Sequence, residues 1–334
     1  MKLLSFVFIA AVCPIWAQVW IPQQSGTSVS LRGISAVSPN VAWASGAKGS
    51  YLRTRDGGAT WEFRTMPGAA DLDFRDVEGF DDRTAILLSS GPGKESRIYR
   101  TKDGGASWAL ALTNADPKGF WDAMAFWDSS HGILVGDPVD GRFVILTTSD
   151  GGMTWQQQKG PAGYKDEGAF AASGSCITTR GAHEVWFGTG GPQGGRVLHS
   201  TDGGKTWSAS TTPLRTGTTS GVFSLDFSDS LHGIAAGGDY KMETDSIGTL
   251  ALTKDGGKTW TAGSAPSGYR SSVAYLPQLK MWISVGMTGS DVSTDGGQTW
   301  RAFGRGFHAV SFVAGFTGWA VGSGGAIAKF RLTE

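Results

Sequence analysis

The chain has 334 residues, with 29 basic and 29 acidic side chains, a formal net charge of zero, 51 glycines and 14 tryptophans. That length accommodates one large all-β domain or two smaller ones. The balanced charge leaves no electrostatic footprint for nucleic acid, and no basic run or amphipathic stretch points to insertion in, or binding at, a membrane surface.

The opening segment, MKLLSFVFIAAVCPIWAQ, has the layout of a secretory signal. Lys2 supplies the positive start, Leu3 to Val12 an apolar run too short to span a bilayer, and Ala17 a small residue before the cut. Residues 1–17 are therefore expected to be a signal peptide, and the remaining chain, 18–334, one exported domain, periplasmic or secreted. Val12 disfavours a lipoprotein cut before Cys13. The mature chain then keeps Cys176 as its single thiol, so no internal disulfide forms and packing has to hold the fold.

From residue 54 an octet recurs six times: TRDGGATW, TKDGGASW, TSDGGMTW, STDGGKTW, TKDGGKTW and STDGGQTW. Its aspartates, Asp56, Asp103, Asp150, Asp202, Asp255 and Asp295, are 47, 47, 52, 53 and 40 residues apart. Such a period, filled by short β-rich runs such as RFVILTT and RVLHST, predicts the four-stranded blades of a propeller. The two glycines supply the positive φ of a tight turn. The aspartate accepts nearby backbone N–H groups, and the Ser or Thr before the tryptophan does so more weakly. The tryptophan ring is expected to bury between sheets, contributing up to roughly 4–6 kcal/mol at ~25 cal/mol per Å². Six carboxylates spread around a ring cannot converge on one calcium ion. These aspartates are therefore structural, and neither a metal nor a cofactor is expected.

Six octets do not limit the ring to six blades. FHAVSFVAGFTGWAVGSGGAIAKF, at 307–330, repeats the material that precedes an octet, and VWIPQQSG, at 19–26, matches the strand that follows one. The expected fold is thus all-β: a seven-bladed propeller with Asp-box turns, closed by an N-terminal strand joining the C-terminal blade, and a monomer.

The octets are similar to the Asp-box, or BNR, repeat of sialidases and related propellers. Together with HGILVGD and GWAVGSGG they resemble the photosystem II stability/assembly factor family. That resemblance implies an exported, seven-bladed protein that binds a nascent membrane-protein partner and has no known catalysis. It also implies a basic patch, for which Arg32, Arg75 and Arg270 are the candidates here.

Ligand sites in propellers usually lie near the axis on the face where the chain enters each innermost strand, here called the top. Aligning those strands gives one column reading Leu31, Phe74, Trp121, Glu167, Val222, Arg270 and Phe307. A second column reads Arg32, Arg75, Asp122, Gly168, Phe223, Ser271 and His308. Polar exceptions in these columns, with the top-loop residues Asp137, Asp239 and Tyr240, make the candidate binding set Arg32, Arg75, Trp121, Asp122, Asp137, Glu167, Asp239, Tyr240, Arg270 and His308. Trp121 is expected to act as a stacking platform. The expected ligand is a protein or a carbohydrate-like small molecule. The alternative is a glycoside hydrolase, which needs two facing carboxyl groups, from Asp122, Asp137, Glu167 and Asp239. The early Arg-Ile-Pro motif of sialidases is absent from the sequence.

Overall fold

Six copies of one turn cut the chain into short antiparallel strands, and each turn is closed in the same way. In the second octet, the Ser107 amide and hydroxyl donate to the two oxygens of Asp103 at 2.9 and 2.6 Å. The Thr101 hydroxyl donates to Asp103 at 2.8 Å and accepts the Gly105 amide at 3.0 Å. Gly104 and Gly105 hold φ of 77° and 79°, a region that penalises a side chain. Of the six octet tryptophans, Trp61 and Trp260 are buried, whereas Trp108, Trp155, Trp207 and Trp300 are half-buried. The outermost strand leaves those four rings partly open to water, so the packing contribution expected from sequence applies in full to two of them.

The computed structural model describes residues 17–313 and 316–333; the expected signal segment lies almost wholly outside the described residues. Seven antiparallel sheets form seven blades, six running outward in chain order from a main innermost strand and the seventh taking its outer strand from the N-terminal segment; the two-residue strand Gly190–Gly191 adds to the inner edge of blade 5. Those innermost strands are Leu31–Ala36, Phe74–Gly79, Trp121–Phe126, Ile177–Arg180, Gly217–Phe227, Ser272–Leu276 and Ala309–Phe312. In the last blade the outer strand is Ala17–Gln23, paired antiparallel with Ile327–Thr333 from Ala17 opposite Thr333 to Gln23 opposite Ile327. The core lies between blades in separate clusters, each centred on strand-two residues such as Trp43, Ile133, Ile234 and Trp319. Among the described residues no helix is long and apolar enough to cross a membrane.

An innermost strand has one edge facing the axis, and its amides need acceptors. Side chains of the preceding blade supply them. The Gly79 amide donates to Ser35 at 3.1 Å, Met124 to Asp76 at 2.8 Å, Val273 to Ser224 at 2.9 Å, Tyr275 to Asp226 at 2.8 Å, and Ala36 to Ser311 at 3.0 Å. Blade 4 breaks this pattern. Its Ser173 and Ser175, on the segment before the innermost strand, reach across the axis. The Ser173 hydroxyl donates to the Ser271 carbonyl at 2.7 Å, and that of Ser175 to the Ser224 hydroxyl at 2.8 Å. Gly174, between them, lies directly against Asp76 of blade 2. This segment therefore crosses the central channel beneath the top face.

The two sets of carboxylates give stability opposite pH dependences. Hydrogen bonds from Ser107 lower Asp103 to about 2, and the equivalent contacts, with burial opposing, lower Asp56, Asp150, Asp202 and Asp255 to about 2. A carboxyl depressed below its unfolded value of about 4 stabilises above that pH, and the gain is lost as pH falls toward 2. On the innermost strands burial does the reverse, raising Asp226 to about 6, Asp76 to about 7 and, with help from Asp76, Glu78 to about 8. Such groups hold their proton when folded, so stability falls as pH rises from about 4 through these values. Urea midpoints should therefore peak between about pH 4 and 5. Glu78→Gln should raise the midpoint at pH 9 and leave it unchanged at pH 4, and Asp103→Asn should flatten part of the acid limb. A Glu78→Gln midpoint equal to wild type at pH 9 would refute the assignment.

Candidate functional site: a floored pocket on the top face

At the top of the axis the seven blades leave a pocket of about 610 Å³, lined from every side. Its floor is the blade-4 segment Ala169, Phe170, Ala171 and Ala172, held over the channel by the serine contacts below it. Blades 7, 1 and 2 contribute His308, Arg32 and Arg75; blade 3 contributes Asp122 and Asp137. Phe223, Tyr240 and Tyr269 form the opposite wall, with Glu243 and Met287 at its edge.

The polar side is only partly neutralised. Arg75 Nε donates to Asp73 at 2.6 Å, and Arg75 Nη1 to the Ala171 carbonyl at 2.9 Å. Arg32 Nη1 lies 3.5 Å from His308 Nδ1. That nitrogen is 3.0 Å from the Leu31 carbonyl, to which it donates, while Nε2 accepts from the Ser323 hydroxyl at 3.0 Å. The imidazole is thus neutral: burial, then Arg32, pulls His308 down to about 4. Burial and the neighbouring Arg75 also lower Arg32. On blade 3, next to Arg75, burial and then the Asp137 carboxylate push Asp122 well above the usual carboxylate range. Burial raises Asp137 to about 6, opposed by the Ala169 amide, which donates to it at 2.9 Å. Asp122 is 1% exposed, and its Oδ2 has no hydrogen-bond partner among the described residues.

The structure brings Arg32, Arg75, Asp122, Asp137, Tyr240 and His308 to this pocket and places the other four candidates elsewhere. Trp121 is no stacking platform. Its ring turns away from the axis and packs with Ile86, Leu88, Ile98 and Met124 between blades, because side chains alternate along a strand and its neighbour Asp122 takes the pocket side. Glu167 is not on an innermost strand: blade 4 begins that strand at Ile177, and the aligned column was displaced by the preceding insertion. Its carboxylate is buried against Arg196, at 2.8 Å from Nε and 2.6 Å from Nη2. Arg270, fully buried, is paired with Asp291, with 2.7 Å between its Nε and that carboxylate. Asp239 ties its own loop together, accepting the Thr219 hydroxyl at 2.7 Å and the Lys241 amide at 2.9 Å.

Of the aromatic wall, only Tyr240 stands in the candidate set from the sequence; Phe170, Phe223 and Tyr269 do not. Phe170 and Phe223 stack with centroids 3.8 Å apart at 15°, and Tyr269 meets Phe223 edge-on at 4.8 Å. Phe223 stood in the same column as Arg32 and Asp122, which was the available signal; Phe170 was hidden in the insertion that shifted blade 4. Among the described residues no group of three or more His, Cys, Asp or Glu is placed to hold a metal ion.

A family profile described as photosynthesis system II assembly factor YCF48 matches residues 114–267, and a BNR/Asp-box repeat profile matches residues 291–302. No curated protein matches the chain significantly. The structure titled "YCF48 bound to D1 peptide" superposes with a TM-score of 0.67 at 18% identity, covering 97% of this chain and 99% of that one. One titled "Structure of U3-55K" gives 0.66 at 12% identity, covering 95% and 98%. YCF48 from Cyanidioschyzon merolae is 18% identical over 94% and 99% of the two chains, with a TM-score of 0.48. At these identities the superpositions at 0.67 and 0.66 establish the fold alone, and the profiles add the repeat and the family likeness. The chain is an Asp-box β-propeller that resembles, over residues 114–267, the YCF48 photosystem II assembly factor family.

Proposed function

We propose that the protein is a non-catalytic, exported binding propeller of the assembly-factor type, which takes a protein partner or a small polar ligand at its top face. The observation that carries this reading is the continuity between the floored pocket and an apolar rim. Tyr240 and Met287 line the pocket and are 44% and 39% exposed, and Met242 and Ile247, in the loop that follows Tyr240, are 45% and 75% exposed. Large apolar side chains gathered beside a pocket are costly to leave in water unless something covers them. The peptide-bound YCF48 structure supports a protein as that occupant. The layout of residues 1–17 supports export.

Capture of partners from the exported fraction tests this. Wild type is expected to retain a protein that a Tyr240→Ser/Met287→Ser variant loses while keeping its Tm. Equal recovery by both forms would sink the reading.

A second reading, hydrolysis of a glycosidic bond, draws on Asp122 and Asp137, two carboxyl groups with raised pKa values in one pocket. Both belong to blade 3, side by side on one wall, whereas a bond to be cleaved has to lie between its two carboxyls. Release of nitrophenol from a panel of nitrophenyl glycosides, abolished by Asp122→Asn, would establish hydrolysis in place of simple binding.

A further inference from the structure

We propose that the top pocket binds a free α-amino acid with an aromatic or large apolar side chain, its carboxylate on Arg32, its ammonium on Asp122 and its side chain against Phe170 and Phe223. This deepens the binding reading above and rests on it.

Two unmet needs share the pocket: a guanidinium, Arg32, without a carboxylate of its own, and a pair of neighbouring carboxyls, Asp122 and Asp137, whose mutual repulsion a cation would relieve. Arg32 and Arg75 share the single carboxylate of Asp73, which bonds Arg75. Arg32 has no carboxylate within hydrogen-bond distance among the described residues, and its buried Nε has no partner. Its contact with His308 is no substitute, because His308 Nδ1 already donates to the Leu31 carbonyl. A partly buried guanidinium in that state favours an anion. Asp122 Oδ2, equally without a partner and 1% exposed, favours a donor. Its neighbour Asp137 adds a second carboxyl on the same wall.

These needs narrow the ligand. A simple anion would meet Asp122, Asp137 and Glu243; a polyamine would meet Arg32 and Arg75. A neutral sugar would leave Arg32 without an anion and the Asp122/Asp137 pair without a cation. Either end of a peptide carries one charge, whereas a free amino acid carries both, on the two groups that flank one carbon. The wall of Phe170, Phe223, Tyr240 and Tyr269 then selects a flat or bulky apolar side chain. The floor at Ala169–Ala172 closes the channel below, so the ligand enters and leaves by the top.

Calorimetric titration with L-phenylalanine, N-acetyl-L-phenylalanine and L-phenylalaninamide tests the proposal, since the three share a side chain and differ in their charges. L-phenylalanine is expected to bind at least about tenfold more tightly than either analogue, the effect of one charged hydrogen bond. Arg32→Met should erase the gap between the amino acid and the amide, and Asp122→Asn the gap to the N-acetyl compound. If a variant fails to fold, the three-ligand comparison on wild type still decides, with the NMR titration of His308 as a second readout. Its midpoint, about 4 in the free protein, should rise when a carboxylate sits on Arg32. No heat with millimolar L-phenylalanine overturns the proposal, as does tighter binding of either analogue, which would identify a chain end as the ligand. Partner capture that depends on Tyr240 and Met287, without amino-acid binding, would remove this inference and leave the broader binding reading standing.

Discussion

Removing residues 18–23 is expected to prevent the ring from closing: the protein should lose its cooperative thermal transition, and Trp20→Ala alone should lower the Tm by roughly 10 °C. The strand does more than fill a sheet edge. Trp20 lies among Phe303, Phe307, Phe312 and Phe330, with centroids between 5.3 and 6.4 Å, and donates from Nε1 to Ser290 at 3.0 Å. Gln23 Oε1 accepts from both Trp61 Nε1, at 2.9 Å, and Trp319 Nε1, at 3.2 Å, joining blade 7 to blade 1. Gln18 accepts from Arg301 of blade 6. Truncating a buried tryptophan costs about 3–5 kcal/mol, and in a chain of this size each kcal/mol moves the Tm by about 2–4 °C. Loss of the whole strand adds the unpaired edge of Ile327–Thr333 and two orphaned indole N–H groups. Calorimetry of the truncated chain, with and without a synthetic peptide spanning 17–26, separates closure from a general effect of truncation. Restoration by the peptide is the expected result, and a truncated chain that melts like wild type would disprove closure by this strand.

The fold was legible because its instructions repeat. Octets at regular spacing fix the turns, and the unmatched segments at 19–26 and 307–330 complete each other. The floor of the pocket was not legible, because it is a departure from the repeat. The insertion carrying Glu167, Phe170 and Ser173 belongs to blade 4 in sequence but lies across the axis, touching blades 2, 5 and 6. Column alignment assumes that every blade enters its innermost strand alike, so it placed Glu167 where Ser175 and Cys176 come. The same alignment picked out Arg32, Asp122 and His308, whose blades do enter alike. It treated Arg270 as equivalent because polarity in an apolar column signals a site. A charge in such a position is equally well explained by a buried partner, and Asp291, 21 residues later on strand three, is that partner.

That pairing makes Arg270→Met the most damaging single substitution we expect away from the closing strand, at about 3–5 kcal/mol, the cost of stranding one member of a buried ion pair. Arg270 is fully buried and Asp291 nearly so. The guanidinium also donates to Ser267 Oγ at 2.6 Å, to the Tyr269 carbonyl at 2.7 Å and to Thr288 Oγ1 at 3.2 Å, so the segment leading into strand one of blade 6 and the turn between its strands two and three hang on it. Replacing both charges, as Arg270→Met/Asp291→Leu, removes the uncompensated carboxylate and should recover most of the loss, because an apolar pair of similar volume fills the space without desolvating a charge. Urea denaturation of the two variants measures this directly. Tyr269, immediately before it in the chain, forms part of the aromatic wall, so the loss of Arg270 should weaken top-face binding through displacement of that wall, and the double variant should bind as wild type does. The opposite pattern, an unchanged urea midpoint for Arg270→Met with ligand binding abolished in both variants, would show that Arg270 contacts the ligand and that the ion pair is not what holds blade 6 at the pocket.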